Sequence, residues 1–387
     1  MMDHWNQHKM SAQHELPDPP SDAISSLRFS PAGNKLAVSS WDRTVSIYHH
    51  SPDSETPFVR QSGIQCRAPI LDVCWGDDDT TLFAVGLDQD VRLLRTTEGD
   101  NDNQQEVLST HSAPSNKLVY SRDHSLLIST SWDSTMHIHH PPTHQYIRVR
   151  LPTKPFALSL TPARLVVAMA ERKVSVYDLH ALRALLDQTG GSTAREDILD
   201  IHPWQQRESS LKFMTRALSC MPDGNGFATS SIEGRVGVEW FDPEDQKRTY
   251  AFKCHRQTST VPATTPTAGG EGEEGAEQQQ QQQEEVDIVY PVNALAFHPV
   301  HGTFATGGGD GVVALWDANT KRRIKQYGKL GASIAALDFS PDGGSFLAVA
   351  ASPGFEDGQE DVELDPSQVK VFVRVLAEGE AKGKPAK

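Results

Sequence analysis

Along most of the chain, apolar and polar positions alternate in short runs broken by turns rich in Asp, Gly, Pro and Ser. A period of two is the pattern of half-buried strands and hairpins, not of helices. One version recurs seven times, an alternating apolar run followed by a polar turn, at 24–31, 70–77, 116–123, 156–162, 216–224, 293–302 and 334–343. A second version follows it: a strand of small apolar residues, a tight turn, then a Val-led strand. Examples are LAVSSWDRTVSIY (36–48), LLISTSWDSTMHI (126–138), LVVAMAERKVSVYD (165–178) and TFATGGGDGVVALWD (303–317). Helical periodicity is confined to a modest stretch at 180–186.

With Phe29, Trp75, Tyr120, Leu160, Cys220, Phe297 and Phe339 as markers, the repeats are spaced 46, 45, 40, 60, 77 and 42 residues apart. Four of these fit the roughly 40–45 residues of a four-stranded propeller blade. The two long spacings carry insertions at 185–206 and 257–286. The expected fold is all-β, a seven-bladed WD40 β-propeller over 22–375. Ring closure protects the sheet edges, and the last blade is expected to borrow a clasp strand near 11–16 from the N-terminal segment 1–21. Residues 376–387 are expected as a disordered tail. Trp316-Asp317 and Tyr177-Asp178 stand where a WD signature ends a strand, while the usual Gly-His dipeptide is missing throughout.

The formal charge of −15 changes this picture little. Glu271, Glu273, Glu274, Glu277, Glu284, Glu285 and Asp287 lie together without a basic residue, as do Glu356, Asp357, Glu360, Asp361, Glu363 and Asp365. Outside those segments the chain is nearly balanced, so net charge says little about what the folded part binds. The acidic segments and the glutamine run 278–283 are expected as disordered loops, because they cannot bury a core. Cys66, Cys74, Cys220 and Cys254 form no C-x-x-C pair, which argues against a zinc site and a disulfide scaffold. They are read as reduced thiols of a soluble intracellular protein. The segment 1–21 has no apolar stretch for a signal peptide, and no run approaches the ~18 apolar residues of a membrane span.

In such a blade the turns between the first and second strands lie on the bottom rim. The turns between the second and third strands, and the connections to the next blade, lie on top. The turns at 40–43, 87–89, 131–134, 232–234 and 309–311 therefore belong to the top. Trp41 and Trp132 sit in two of them, with Leu87 at the equivalent place in the blade between. Exposed aromatics on one face are typical binding anchors; the alternative is that each Trp folds onto its neighbouring blade. On the same rim Arg216 opens blade 5, Arg235 follows a top turn, and Lys253 and Arg256 end the last strand. The four are expected to converge and to suit a phosphate or carboxylate, since Arg forks onto two oxygens. Ion pairing with Glu233 or Asp242 on a solvated rim is the plainer alternative.

No catalytic constellation stands out. The glycine-rich 307–311 lacks the Lys-Ser/Thr of a phosphate loop and lies in a hairpin. There is no G-x-S-x-G, no H-E-x-x-H and no convincing Cys–His pair. His137 and His139 share a strand face, but no carboxylate or thiolate completes a metal set. No catalytic residue, metal or cofactor is expected.

The stretches RESSLKFMTR (207–216), SSIEGRVGVEWFDP (230–243), YAFKCHR (250–256) and YPVNALAFHPVHGTFATGGGDG (290–311) carry a resemblance. With the two SWD turns and IAALDFSPDG (334–343), they resemble the Bub-type WD-repeat family of the spindle-assembly checkpoint, over 22–375. The propeller family of messenger-RNA export shares the FKCHR and FHPVHGT elements. The resemblance implies a non-catalytic adaptor whose top face holds a short helical segment, the GLEBS motif, of checkpoint kinases and kinase-like relatives. It also implies reading of Met-Glu-Leu-Thr repeats of a kinetochore scaffold once their Thr is phosphorylated. Trp41 and Trp132 then match the GLEBS anchors, with Leu87 between them, Arg235 and Lys253 the phosphothreonine contacts, and Arg216 a basic residue close by. The implied protein is nuclear, at kinetochores in mitosis and monomeric outside its complexes, with no membrane or nucleic-acid partner. The alternative is an export adaptor binding a nucleoporin GLEBS segment and RNA. The insertion 257–286 departs from the family pattern, and its acidic residues are placed to compete for the same cations.

Overall fold

The computed structural model describes residues 12–52, 54, 56–96, 105–189, 197–262, 283–354 and 365–383. Seven antiparallel sheets form a closed ring, and the first strand of each packs on the first strands of both neighbours. These innermost strands are Ile24–Phe29, Ile70–Trp75, Ser115–Ser121, Pro155–Leu160, Thr215–Cys220, Val292–Phe297 and Ile334–Phe339, which open blades 1 to 7. All seven coincide with the recurring apolar runs of the sequence.

Burial across each blade explains its composition. Second strands such as Lys35–Ser40, Leu126–Ser131, Gly226–Ser231 and Thr303–Gly308 are buried at every position. They are covered on both faces by adjacent blades, so small and branched residues fit there and alternation disappears. Outer strands such as Gln105–Thr110 and Arg322–Gln326 are largely exposed and polar.

The ring is closed by Ala12–Glu15, which pairs antiparallel with Lys370–Val375 as the outer strand of blade 7. Leu16 follows with only 2% exposure and donates its N–H to Val371 O at 2.7 Å. Blade 3 gains a short parallel fifth strand, Ile198–Leu199. The helical stretch is a helix, Leu179–Thr189, with Leu179, Leu182 and Leu186 buried on one face. Asp178 starts it by accepting from the Ala181 N–H at 2.9 Å.

Two expectations need correction. First, 376–383 is packed structure, not a tail. Ala381 is 3% exposed and its carbonyl accepts from Thr303 Oγ1 at 2.7 Å. The Glu380 carboxylate is buried against Lys325 Nζ at 2.7 Å and the Tyr327 hydroxyl at 2.9 Å. A Gly-, Glu- and Lys-rich segment reads as solvated because its partners on blade 6 are distant in sequence. Second, the insertion 257–286 is not loop throughout: Arg256–Pro262 and Gln283–Val289 form a two-stranded hairpin standing on the top rim. The remainder of the insertion with most of the glutamine run (263–282), and 355–364 of the second acidic segment, lie outside the described residues.

The Gly-His dipeptide is missing, as the sequence reads, but in two blades its histidine is present without the glycine. His255 Nδ1 meets Asp310 Oδ1 at 2.8 Å, its Nε2 meets Thr306 Oγ1 at 2.8 Å, and Trp316 Nε1 donates to the same hydroxyl at 2.9 Å. His111 takes the same place in blade 3, against Ser129 and Thr135 at 3.0 Å each and Asp133 at 3.5 Å. Cys254 and Thr110 precede the two histidines, which is why a search for Gly-His misses them.

Candidate functional site

One repeated turn builds the top rim. Between the second and third strands the chain passes through Trp41-Asp42-Arg43, Leu87-Asp88-Gln89, Trp132-Asp133-Ser134, Ile232-Glu233-Gly234 and Gly309-Asp310-Gly311. The last residue of each has a left-handed φ, +70° at Arg43, +73° at Gln89, +64° at Ser134, +65° at Gly234 and +74° at Gly311. In three turns the middle acid ties the loop to itself, Asp310 Oδ1 accepting from Val312 N at 3.1 Å. Asp42 Oδ1 accepts from Thr44 N, and Asp133 Oδ1 from Thr135 N, each at 2.9 Å. Those carboxylates hold the turn, and the residue before each is set on the rim.

From these turns Trp41 and Trp132 line the mouth of the central channel with Phe156 and Met214, around a cavity of ≈ 370 Å³. Trp132 is 37% exposed, and Lys154 Nζ lies 4.8 Å from its ring centroid, a cation–π contact. Leu87 is half-buried in its turn and does not line the mouth. Lys117 and Arg216 bring cations to the same opening, where Arg216 Nε donates to Asn293 Oδ1 at 2.9 Å.

Below the mouth the channel is charged. Asp72 faces Lys117 at 3.8 Å and Arg28 at 4.0 Å, while Asp338 accepts from Phe29 N at 2.8 Å. Burial lowers the Lys117 pKa, with Asp72 opposing. Burial also works against the Arg28 charge, but Asp72 and Asp338 outweigh it and hold that pKa above its ordinary value. Burial pushes Asp338 up to about 6. An apolar rim above a channel bearing cations suits an amphipathic segment that presents an acid downward.

The four cations of blade 5 do not form one cluster. Arg216 belongs to the channel mouth, whereas Arg235 and Lys253 stand directly opposite each other on the third and fourth strands. Arg235 Nε lies 3.1 Å from Glu233 Oε1, and among the described residues no carboxylate pairs with Lys253. Arg256 starts the hairpin and donates to the Glu233 carbonyl at 2.8 Å. Strand alternation puts Arg235, Gly237 and Glu239 on one side of the blade. That side faces blade 4, because Ser210 N donates to Glu239 Oε1 at 3.1 Å and Arg207 lies 3.7 Å from Glu239 Oε2.

Sequence reasoning passed over three exposed apolar residues of blade 5 and the chain leading into it. Ile232 is 41% exposed, Phe213 51% and Met214 46%, and Ile232 N donates to Met214 O at 3.2 Å. The signal was available for one of them: Ile232 occupies in blade 5 the turn position that Trp41 and Trp132 hold in blades 1 and 3. Among the described residues, no group of three or more His, Cys, Asp or Glu is placed to hold a metal ion. His137 and His139 are buried and hydrogen-bonded to Ser109.

Seven four-stranded blades with signature histidines tied to turn aspartates define a WD-repeat β-propeller. The WD domain, G-beta repeat family matches residues 11–49, 102–140 and 289–317. Over 97% of its length the chain is 40% identical to mitotic checkpoint protein BUB3.1 of Arabidopsis thaliana, covering 96% of that protein. It is 32% identical to mitotic checkpoint protein bub3 of Dictyostelium discoideum, over 91% of the chain and 92% of the relative. The mRNA export factor GLE2 of Chaetomium thermophilum is also similar, 30% identical over 96% of the chain and 92% of that protein. The chain belongs to the Bub3 family of WD-repeat proteins.

Proposed function

We propose that this propeller is a non-catalytic adaptor of the spindle-assembly checkpoint, acting in the nucleus and at kinetochores in mitosis. Its channel mouth holds GLEBS segments of checkpoint kinases on Trp41 and Trp132, with Leu87 outside the contact. Arg235 and Lys253 read the phosphothreonine of Met-Glu-Leu-Thr repeats on a kinetochore scaffold, Arg216 standing apart at the channel mouth, and Phe213, Met214 and Ile232 offer the adjoining apolar surface. The observation that carries this reading is the facing pair Arg235–Lys253, with Glu233 3.1 Å from the guanidinium. Phosphothreonine brings about −1.5 to −2 charges and three acceptor oxygens. It displaces the single carboxylate of Glu233, whereas an unmodified hydroxyl has no charge with which to do so. Phosphorylation thereby gates binding.

Calorimetric titration with a Met-Glu-Leu-phosphoThr peptide and its unphosphorylated twin, with and without a GLEBS peptide, tests this. The phosphorylated form alone binds, Arg235→Glu abolishes that binding, and the GLEBS peptide still binds the variant. Similarity to an mRNA export factor supports a second reading, in which a nucleoporin GLEBS segment and RNA are the ligands. GLEBS binding with indifference to phosphate selects that reading and ends the first.

A further inference from the structure

The side of blade 5 that bears Arg235 and Lys253 does not end at the cations. Arg235, Gly237 and Glu239 alternate down the third strand, and Lys253 and Ala251 pair with Arg235 and Gly237 on the fourth. Ala251 is exposed, so no bulky side chain bars the path down the outer strand. A Cβ at Gly237 would lie 2.5 Å from Ser210 Oγ, so the wall from blade 4 closes the inner side of the path at that level. Below it the two blades part into a cleft of ≈ 480 Å³. Gln205, Gln206, Ser210, Gln246 and Thr249 line it, and the Arg207–Glu239 pair lies against them. Glu208, also at this opening, is paired with Arg172 at 2.7 Å. Gln205 is also engaged, its Nε2 donating to Phe241 O at 2.9 Å and its Oε1 accepting from Arg207, so the free hydrogen-bonding capacity of the cleft is in the Gln206 and Gln246 amides and the Ser210 and Thr249 hydroxyls, not in charges.

The backbone adds to this. Tyr250–Lys253 is the outermost strand of its sheet, and among the described residues no strand pairs with its outer edge. Such an edge offers N–H and C=O groups to an extended peptide. Four residues of extended chain cover roughly 13 Å, the run from Lys253 to Thr249.

We propose that this cleft between blades 4 and 5 is the second half of the phosphopeptide site. The segment flanking the phosphothreonine runs along Tyr250–Lys253, and a polar, uncharged side chain about four positions away is held by the amides of the cleft. The inference rests on the reading of Arg235 and Lys253 given above. It makes the site longer than the phosphorylated motif, with affinity set by the flank and phosphate dependence set by the cations.

Fluorescence anisotropy with three phosphopeptides tests it: the four-residue motif with one residue on either side, and the same motif extended by six Asn, Gln and Ser residues at its N-terminus or at its C-terminus. One extension tightens binding by about fivefold or more, as one or two added hydrogen bonds allow. Gln246→Trp and, independently, Gln206→Trp fill the cleft from exposed positions; both remove that gain and leave the short peptide's affinity unchanged. If neither extension helps, or if the gain survives both variants, the cleft is not part of the site although the cations are. If the short phosphopeptide binds no better than its unphosphorylated twin, the cation reading itself fails and takes this inference with it.

Discussion

Acidification from pH 7 to 5 loads the histidines between blades 2 and 3. His111 and His137 stack with ring centroids 3.5 Å apart, and Ser109 Oγ meets His137 Nδ1 at 2.8 Å and His139 Nε2 at 3.1 Å. All three rings are at most 3% exposed. Burial lowers the His139 pKa to about 3, with His111 adding to it. Burial, then His111, His139 and Arg148, hold His137 well below its ordinary value; burial also lowers His111, with Asp133 opposing. In the unfolded chain a histidine takes a proton near pH 6.5. Below that pH the unfolded state binds protons that the folded state refuses, so stability falls as pH falls. For His139, whose folded pKa lies near 3, the loss is about 1.4 kcal/mol per pH unit below 6.5, hence about 2 kcal/mol at pH 5. Asp338 works in the opposite sense. With its pKa raised to about 6, the folded state gains a proton before the unfolded chain does, and its burial penalty is relieved as pH falls from 6 towards 4. The two are separated by comparing the wild type with His139→Gln, which removes one titration and keeps a polar group beside Ser109. Urea unfolding at pH 7, 6 and 5 should show the stability difference moving in favour of the variant by about 2 kcal/mol. A difference independent of pH would falsify the buried-neutral assignment.

Truncation after Val375 removes the Glu380 and Ala381 contacts with blade 6. Loss of a buried carboxylate network and a core residue should cost about 2–4 kcal/mol, read as a lower thermal midpoint; an unchanged midpoint would show the segment to be ornamental. His255→Leu leaves Asp310 buried without its partner and should destabilise by about 3 kcal/mol. Asp310→Asn in the same background should recover part of that loss in urea unfolding, and failure to recover would mean that the stranded Asp310 carboxylate is not the cause.

The repeat was written in the chain: seven alternating runs at blade-like spacing decide a propeller, because strand period and turn chemistry are local. The turn positions of Trp41 and Trp132 were legible too, since a tight hairpin turn dictates which residue stands on the rim whatever surrounds it. Arg235 and Lys253 were nameable for the same reason, being adjacent to turns whose face was known. Only the tertiary structure separated Arg216 from them. Its distance from Arg235 depends on how far strands within a blade carry it toward the axis, which no spacing records. The same holds for the signature histidines at His111 and His255, recognised by their partners across blades and not by the residue before them. It holds for the packed segment 376–383, whose composition reads as solvent-facing until Lys325 and Tyr327 are brought beneath Glu380. Patterns that one strand or turn settles by itself were open to the sequence; whatever required two distant segments to meet was decided by closing the ring.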